Sequence, residues 1–382
     1  MEKIYTALGL MSGTSMDGVD ASIIKSDGYG QFNNIFDEYY EFDEILQKKL
    51  IKLRNQIVEK SDLVIFSDEL RDLEREITIF HGEITNKILS KYKEEIDLIG
   101  FHGQTIFHNA NQKISKQLGD GKLLSQLVKK TVVFNFRQND LQNGGQGAPL
   151  TPIFHNLIAN EIHNKSKIKF PLNVLNIGGI SNITKTVKEI DSKGSYIKAC
   201  DIGPGNVLID EWVRSNSNKK IDTDGLIGKS GKINKLILNQ AIENFSNLSF
   251  EKSLDIKDFD ISFARGLTLE DGCATITNFT AFLIAEGIKF FNENDKKISS
   301  RYLICGGGRK NNFLIENIKQ YLNDRDNINL ELIDLHNVDG DYVESQAFAY
   351  LAIRSYLKLP ISFPSTTGCK EPCLGGVIVK NY

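Results

Sequence analysis

The pattern of apolar and polar positions changes period several times along this chain. Ile4–Leu10 is a short apolar run, and Val19–Ile24 is a second one. The stretch GLMSGTSMDGVDASI, from Gly9 to Ile23, joins them through small and hydroxyl-bearing residues. Two such runs around a glycine-rich turn predict a strand and its antiparallel return. From Leu70 the spacing becomes three and four. Leu70, Leu73, Ile77, Phe80, Ile84 and Ile88 form one face of an amphipathic helix, which core packing explains without function. Glu94–Ile99 leads into a strand predicted to end at GFHGQT (Gly100–Thr105). Thr131–Phe136 predicts another, ending at Arg137 and Asp140.

The next stretch, NGGQGAPLTPIFH (Asn143–His155), has the glycines and prolines of a connection between domains. A second cycle starts at Asn173, where VLNIGGISNIT repeats strand, glycine turn and strand. Tyr196–Cys200 predicts a short strand ending at Asp201, followed by IGPGN and a helix from Val207. Ala274–Phe291 is helical in pattern, and Arg301–Cys305 is a strand running into Gly306–Gly308, with helix from Asn311 onward. Val343–Tyr356 is the last helix. Strand–turn–strand thus occurs twice. The economical architecture is a duplicated α/β chain with an interdomain cleft. One domain is expected over 1–140 plus 360–382 and the other over 141–359.

Composition narrows this picture only a little. The 382 residues suit two domains, and 41% hydrophobic with 25% charged residues is ordinary for a globular protein. A net charge of −3 gives no global electrostatic case for nucleic acid. No apolar run approaches the roughly 20 residues that span a bilayer, and the start lacks a convincing cleavage site, so no membrane role and a cytoplasmic location are expected. Five scattered cysteines argue against a disulfide framework. Cys369 and Cys373, with no partnering His or second pair, make a weak zinc signal.

The candidate chemistry sits in the turns. Glycine lets backbone N–H groups approach a phosphate closely, and hydroxyls add donors. One such turn reads equally as a tight β-turn; two, plus Gly306–Gly308 at a helix start, read better as phosphate grips. Neither a Walker-type nor a Rossmann glycine motif is present in the right context. Asp17 in the first turn is either an Asx-turn residue or a Mg²⁺ holder beside phosphates. Asp201, before Gly203-Pro204-Gly205-Asn206, suits a general base or an ordinary helix-start carboxylate. Glu344 carries the same ambiguity. His102, Gln104, Arg137 and Asp140 offer hydrogen bonds to a polar ligand, and the planar fork of Arg suits a carboxylate. His108, His155 and His336 read as structural.

The segments GLMSGTSMDGVD, GFHGQT, NGGQGAPLTP, LNIGGISNIT, DIGPGN, ICGGGRKNN and PSTTG occur in the order seen in the anhydro-N-acetylmuramic acid kinases, and the chain resembles a full-length member from Gly9 to Gly376. The resemblance implies an actin-like, hexokinase-type ATPase fold of two domains. It implies ATP and Mg²⁺, an anhydro amino sugar as small-molecule substrate, and a homodimer. The implied reaction opens 1,6-anhydro-N-acetylmuramic acid with water and phosphorylates O6, in the recycling of cell-wall sugar. It assigns Asp201 as the base and gives Glu344 a role in positioning water or sugar. ATP would lie against Gly13, Thr14, Ser15, Met16, Asp17, Gly18, Val19 and Asp20, against Gly178 and Gly179, against Gly203, Gly205 and Asn206, and against Gly306, Gly307 and Gly308. Asp17 would hold the metal, while His102, Gln104, Thr105, Arg137 and Asp140 would face the sugar. Three departures stand out: Asn135 replaces an acidic residue, Ile202 replaces Thr, and a Lys-Ser-Thr-Gly element survives only as Lys252-Ser253-Leu254-Asp255. Two rival readings share the glycine turns: another metabolite kinase on the same fold, and an actin-like ATPase that works by assembly.

Overall fold

A computed structural model describes residues 3–188, 197–245, 254, 256–292 and 299–382. Lys252, Ser253 and Asp255 of the altered motif lie outside the described residues. The predicted first hairpin forms: β1 (Tyr5–Ser12) and β2 (Gly18–Ser26) pair antiparallel from Tyr5↔Ser26 to Met11↔Asp20, and β3 (Phe32–Glu41) extends β2. On the other side of β1 lies β4 (Leu98–Asn109), parallel to it. A parallel pair needs a long crossover, and the chain between these strands includes the helix Ser67–Lys91. Of its six predicted core residues, Phe80 is half-buried and the other five are buried. β5 (Ile114–Leu118) folds back on β4, and β6 (Thr131–Phe134) runs parallel to it.

GFHGQT does not end β4, as the sequence predicted, but lies within it. Gln104 pairs with Ser12 on one side and Leu118 on the other, so ladder partners continue past Ile99. The same holds later for Asp201. β9 runs from Lys198 to Pro204, because the strand Ile180–Lys185 supplies partners through Ile180↔Pro204.

The second sheet contains β7 (Leu172–Ile177), β8 (Ile180–Lys185), β9, β10 (Ser300–Cys305) and β11 (Ile328–Leu332). Its order is β11-β10-β7-β8-β9; the first sheet reads β6-β4-β1-β2-β3, with β12 (Val377–Val379) added antiparallel at β6. In both, a three-strand antiparallel meander is followed by two parallel strands on the far side of its first strand. The duplication read from the sequence is thus a duplication of topology.

Met1–Glu161 and Tyr342–Tyr382 belong to one compact unit; Ile162–Lys188 and Lys198–Asp341 belong to the other. These limits differ from 140 and 360. Asn143–His155 stays within the first unit, and the helix Pro152–Ser166 carries the chain past the boundary. The helix Val343–Tyr356 belongs to the first unit because two strand glycines admit it. A Cβ on Gly9 would lie 1.9 Å from the Ser345 carbonyl oxygen, and one on Gly100 would lie 2.2 Å from that of Phe348. Only a bare backbone lets the helix approach this closely, and the Ser22 and Ser345 hydroxyls bond across the seam at 2.6 Å.

Burial holds His81 neutral, pulling its pKa down to about 4, and does the same to His108 at about 4 and His155 at about 3. In the unfolded chain each titrates near 6.5. Below that pH the unfolded state binds more protons, so stability is full above 6.5 and falls as pH drops toward 4. Melting temperature is expected to decline between pH 7 and pH 5, before most carboxylates titrate; a flat profile over that range would contradict the buried neutral assignment.

Candidate active site

The first glycine turn is built as a rigid tip. Met16 is buried with φ +53°, and its N–H donates to the Gly13 carbonyl at 3.2 Å. The Met16 side chain anchors the turn in the core while Thr14 and Ser15 remain exposed. Ser15 Oγ donates to Asp17 Oδ1 at 2.5 Å, and the Asp17 carbonyl accepts from the Phe42 N–H at 2.8 Å. Gly18 is obligatory for packing, since a Cβ there would meet the Tyr40 carbonyl at 2.4 Å and the Tyr39 ring at 2.6 Å. Val19 is buried and Asp20 half-buried on β2.

Gln104 supports this tip from β4. It is fully buried; its Oε1 accepts from Ser12 Oγ at 2.6 Å and its Nε2 donates to the Gly13 carbonyl at 2.9 Å. The single Ser12 hydroxyl proton is shared with the Gly18 carbonyl, 2.9 Å away, closing the base of the hairpin. These bonds make Gln104 a positioning residue, a role invisible to a reading that placed it against the sugar. Gln104→Leu leaves the Gly13 carbonyl without this donor, and a loss of about 1–3 kcal/mol is expected, measured by urea denaturation. An unchanged midpoint and slope would remove Gln104 from this role.

Three further sugar-side candidates are His102 within β4, Arg137 just past β6, and Asp140 on the short helix that follows. His102 Nδ1 donates to the Gly103 carbonyl at 2.8 Å, which fixes the tautomer and leaves Nε2 as acceptor. Arg137 donates to that nitrogen from Nε at 3.1 Å and Nη2 at 2.9 Å, and from Nη1 to the Gly147 carbonyl at 2.8 Å. Burial, reinforced by the Arg137 charge, holds the His102 pKa well below its usual value, so it stays a neutral acceptor. Asp140 is buried and faces inward: Oδ2 accepts from the Gly147 N–H at 2.7 Å, and Oδ1 accepts from Ser362 and Thr367 hydroxyls at 2.5 and 2.6 Å. It therefore organises the 143–147 loop and the C-terminal segment. Thr105 is half-buried on β4 and accepts from Gln117. Asn135 has φ +56°, a left-handed conformation that Asn tolerates well.

The second unit brings three glycine motifs together. The Gly205 N–H donates to the Gly179 carbonyl and the Asn206 N–H to the Gly178 carbonyl, each at 2.8 Å. DIGPGN is thereby latched onto the β7–β8 turn. Gly306 (φ +80°) sits where a Cβ would lie 2.4 Å from Asn176 Oδ1, Gly308 is pressed against Ile177, and Gly307 lies near the Asn206 amide. The helix begins where the sequence predicts it, from Asn311 onward. A short 3-10 turn, Gly307–Lys310, intervenes before Asn311 caps Asn312–Tyr321 through the Leu314 N–H. Arg309, buried and missed by sequence reasoning, locks that turn. It pairs with Asp334, Asp339 and Asp341 and donates to the Gly306 carbonyl.

Asp201 stands on β9 opposite Asn182, 7% exposed, and its Oδ2 accepts from the Leu254 N–H at 2.9 Å. Ile202 points to the opposite face, fully buried, at a spot where the nearby Gly287 makes room. Alternation along a strand explains this: the Thr-to-Ile departure fills core beneath the site. Glu344 is half-buried in the first turn of the helix that Gly9 and Gly100 admit. Tyr39, beside the first turn, and the Leu254 N–H had no sequence signal, because both are brought to their places by contacts with residues distant along the chain.

Two sheets of one topology, each carrying a glycine turn between its first two strands, define a duplicated α/β protein. A family model described as "Anhydro-N-acetylmuramic acid kinase" matches residues 5–381. The chain belongs to the anhydro-N-acetylmuramic acid kinase family. It is 55% identical to the protein of that name from Pelagibacter ubique over 100% of both chains, and 33% identical to that from Agrobacterium fabrum, again over 100% of both. Among solved structures, Schistosoma mansoni hexokinase complexed with glucose aligns over 91% of this chain and 85% of its own, at 11% identity and TM-score 0.41. Among the described residues no helix is long and apolar enough to cross a membrane.

Proposed function

We propose that this chain phosphorylates 1,6-anhydro-N-acetylmuramic acid with ATP while water opens the anhydro ring, giving N-acetylmuramic acid 6-phosphate and ADP. The observation that carries the reading, beside family membership, is the latch of DIGPGN onto the second glycine turn with the buried Asp201 on the same strand. Asp201 takes a proton from the water that attacks the anomeric carbon. The bond from that carbon to O6 breaks, O6 attacks the γ-phosphorus, and the β–γ bridging oxygen leaves with ADP. Donors of the turns at Gly13–Asp20 and Gly178–Gly179 balance the phosphate charge, since positioning and electrostatics dominate phosphoryl transfer.

Asp17 fits Mg²⁺: it is half-buried at the tip of the first turn, where its carboxylate offers the hard oxygen donors that ion prefers. Mg²⁺, when bound, neutralises phosphate charge. Arg137, aimed by His102, contacts the sugar side, and Glu344 orients the attacking water or the sugar. A cytoplasmic homodimer belongs to the same reading, and sedimentation equilibrium tests the dimer. Turnover in oxygen-18 water tests the chemistry. One label is expected on the sugar and none on the phosphate; an unlabelled sugar would exclude attack by water at the anomeric carbon.

A further inference from the structure

The C-terminal segment of the first unit holds two thiols whose surroundings the kinase reading does not use. Cys369 and Cys373 are free and only 2% and 3% exposed. Their spacing is fixed by backbone. Gly368 (φ +75°) turns the chain into Cys369, while Cys373 exchanges bonds with the preceding strand segment. The Cys373 N–H donates to the Ser362 carbonyl at 2.9 Å and the Ile361 N–H to the Cys373 carbonyl at 2.8 Å. As a sequence pair they lacked a third ligand. Folding supplies one from far along the chain: an Asp140 carboxylate oxygen and the two Sγ atoms all lie within 4.8 Å of one another.

Asp140 is the second observation. A carboxylate offers about four lone-pair positions, and three are taken, by Ser362, Thr367 and the Gly147 N–H. All three donors are neutral. Among the described residues no cation pairs with this carboxylate, although it is 1% exposed. A desolvated charge calls for a cationic partner. Two sulfurs beside an oxygen of this buried carboxylate form a mixed set that soft thiolates bias toward zinc-like ions and away from Mg²⁺. Tetrahedral ligation at about 2.0–2.3 Å puts donor atoms roughly 3.3–3.8 Å apart, so the three donors, all within 4.8 Å of one another, need only a small contraction to close on one ion.

We propose that Asp140, Cys369 and Cys373 bind a thiophilic divalent cation of the Zn²⁺ type. On binding, each thiol loses its proton to solvent as its sulfur–metal bond forms, the last lone pair of Asp140 turns to the ion, and water completes the coordination. The ion would staple the C-terminal segment to the 143–147 loop. This site is separate from the Asp17 carboxylate, and the inference stands without the kinase mechanism.

The test uses the full chain and two probes, Zn²⁺ competed against a chromophoric chelator and Co²⁺ followed by absorption. One Zn²⁺ per chain is expected, with about two protons released per ion, and Co²⁺ should give a thiolate charge-transfer band in the near ultraviolet. The Cys369→Ser/Cys373→Ser double variant should lose that band and bind Zn²⁺ at least about 100-fold more weakly. Absence of stoichiometric Zn²⁺ binding by the wild type, or equal binding by the double variant, overturns the proposal. The wild-type cobalt spectrum decides the matter if the variant does not fold: no charge-transfer band also overturns it.

Discussion

Asp201→Asn is expected to lower kcat by about 10²–10⁴-fold, the usual cost of removing a general base, with fold and ATP binding retained. The substitution suits the question because it is nearly isosteric. An Asn oxygen can still accept the Leu254 N–H that Asp201 holds at 2.9 Å, so the strand keeps this contact. What disappears is the capacity to take a proton. Steady-state kinetics should show the loss in kcat and kcat/KM together, the mark of an interaction made in the transition state, with the KM for ATP and the melting temperature near wild type. Turnover close to wild type would take the base role away from Asp201, and Glu344 would then be the next group to replace.

Gly205→Ala is expected to produce the second largest loss, and for a different reason. Its Cβ would lie 2.0 Å from the Gly178 carbonyl oxygen and 2.9 Å from the carbonyl carbon. Both are backbone atoms of the second glycine turn, so no side chain can swing away. Either the turn moves or the two 2.8 Å bonds from Gly205 and Asn206 break. Overpacking of this kind costs about 1–3 kcal/mol, and displaced phosphate donors should weaken ATP by at least about tenfold, which is 1.4 kcal/mol. Gly178→Ala is the control, because its Cβ finds nothing closer than 3.6 Å. It should leave stability near wild type, so any drop in ATP affinity there reports on crowding of the phosphate itself. Equal melting temperatures and equal ATP affinity for Gly205→Ala and wild type would show that the latch does not shape the site.

Much of the fold was legible because it is written in local periods. Alternating and continuous apolar runs marked β1, β2, β7, β8 and β10, and the three–four spacing from Leu70 marked a helix that packs as predicted. The errors share one cause. GFHGQT and DIG look like strand ends because glycine and polar residues interrupt the apolar run, yet both stretches stay in their strands because neighbouring strands hold the ladder. Asn143–His155 looked like a linker for its glycines and prolines, while Asp140 and the Thr367 carbonyl tie its loop into the first unit.

The sequence by itself determined the two strand–turn–strand units, the family, and the identity of the charged residues placed at the turns, since each depends on residues adjacent in the chain. Only the tertiary structure decided what those residues do to one another. It made Gln104 a brace for the first turn, faced Ile202 into the core, and gathered Asp140 with Cys369 and Cys373. It also set Glu344 in place through glycines on two other strands. The physical reason is common to all of these. Side-chain direction and long-range contact follow from strand register and helix–sheet approach, and these are fixed by partners distant along the chain, which no local pattern records.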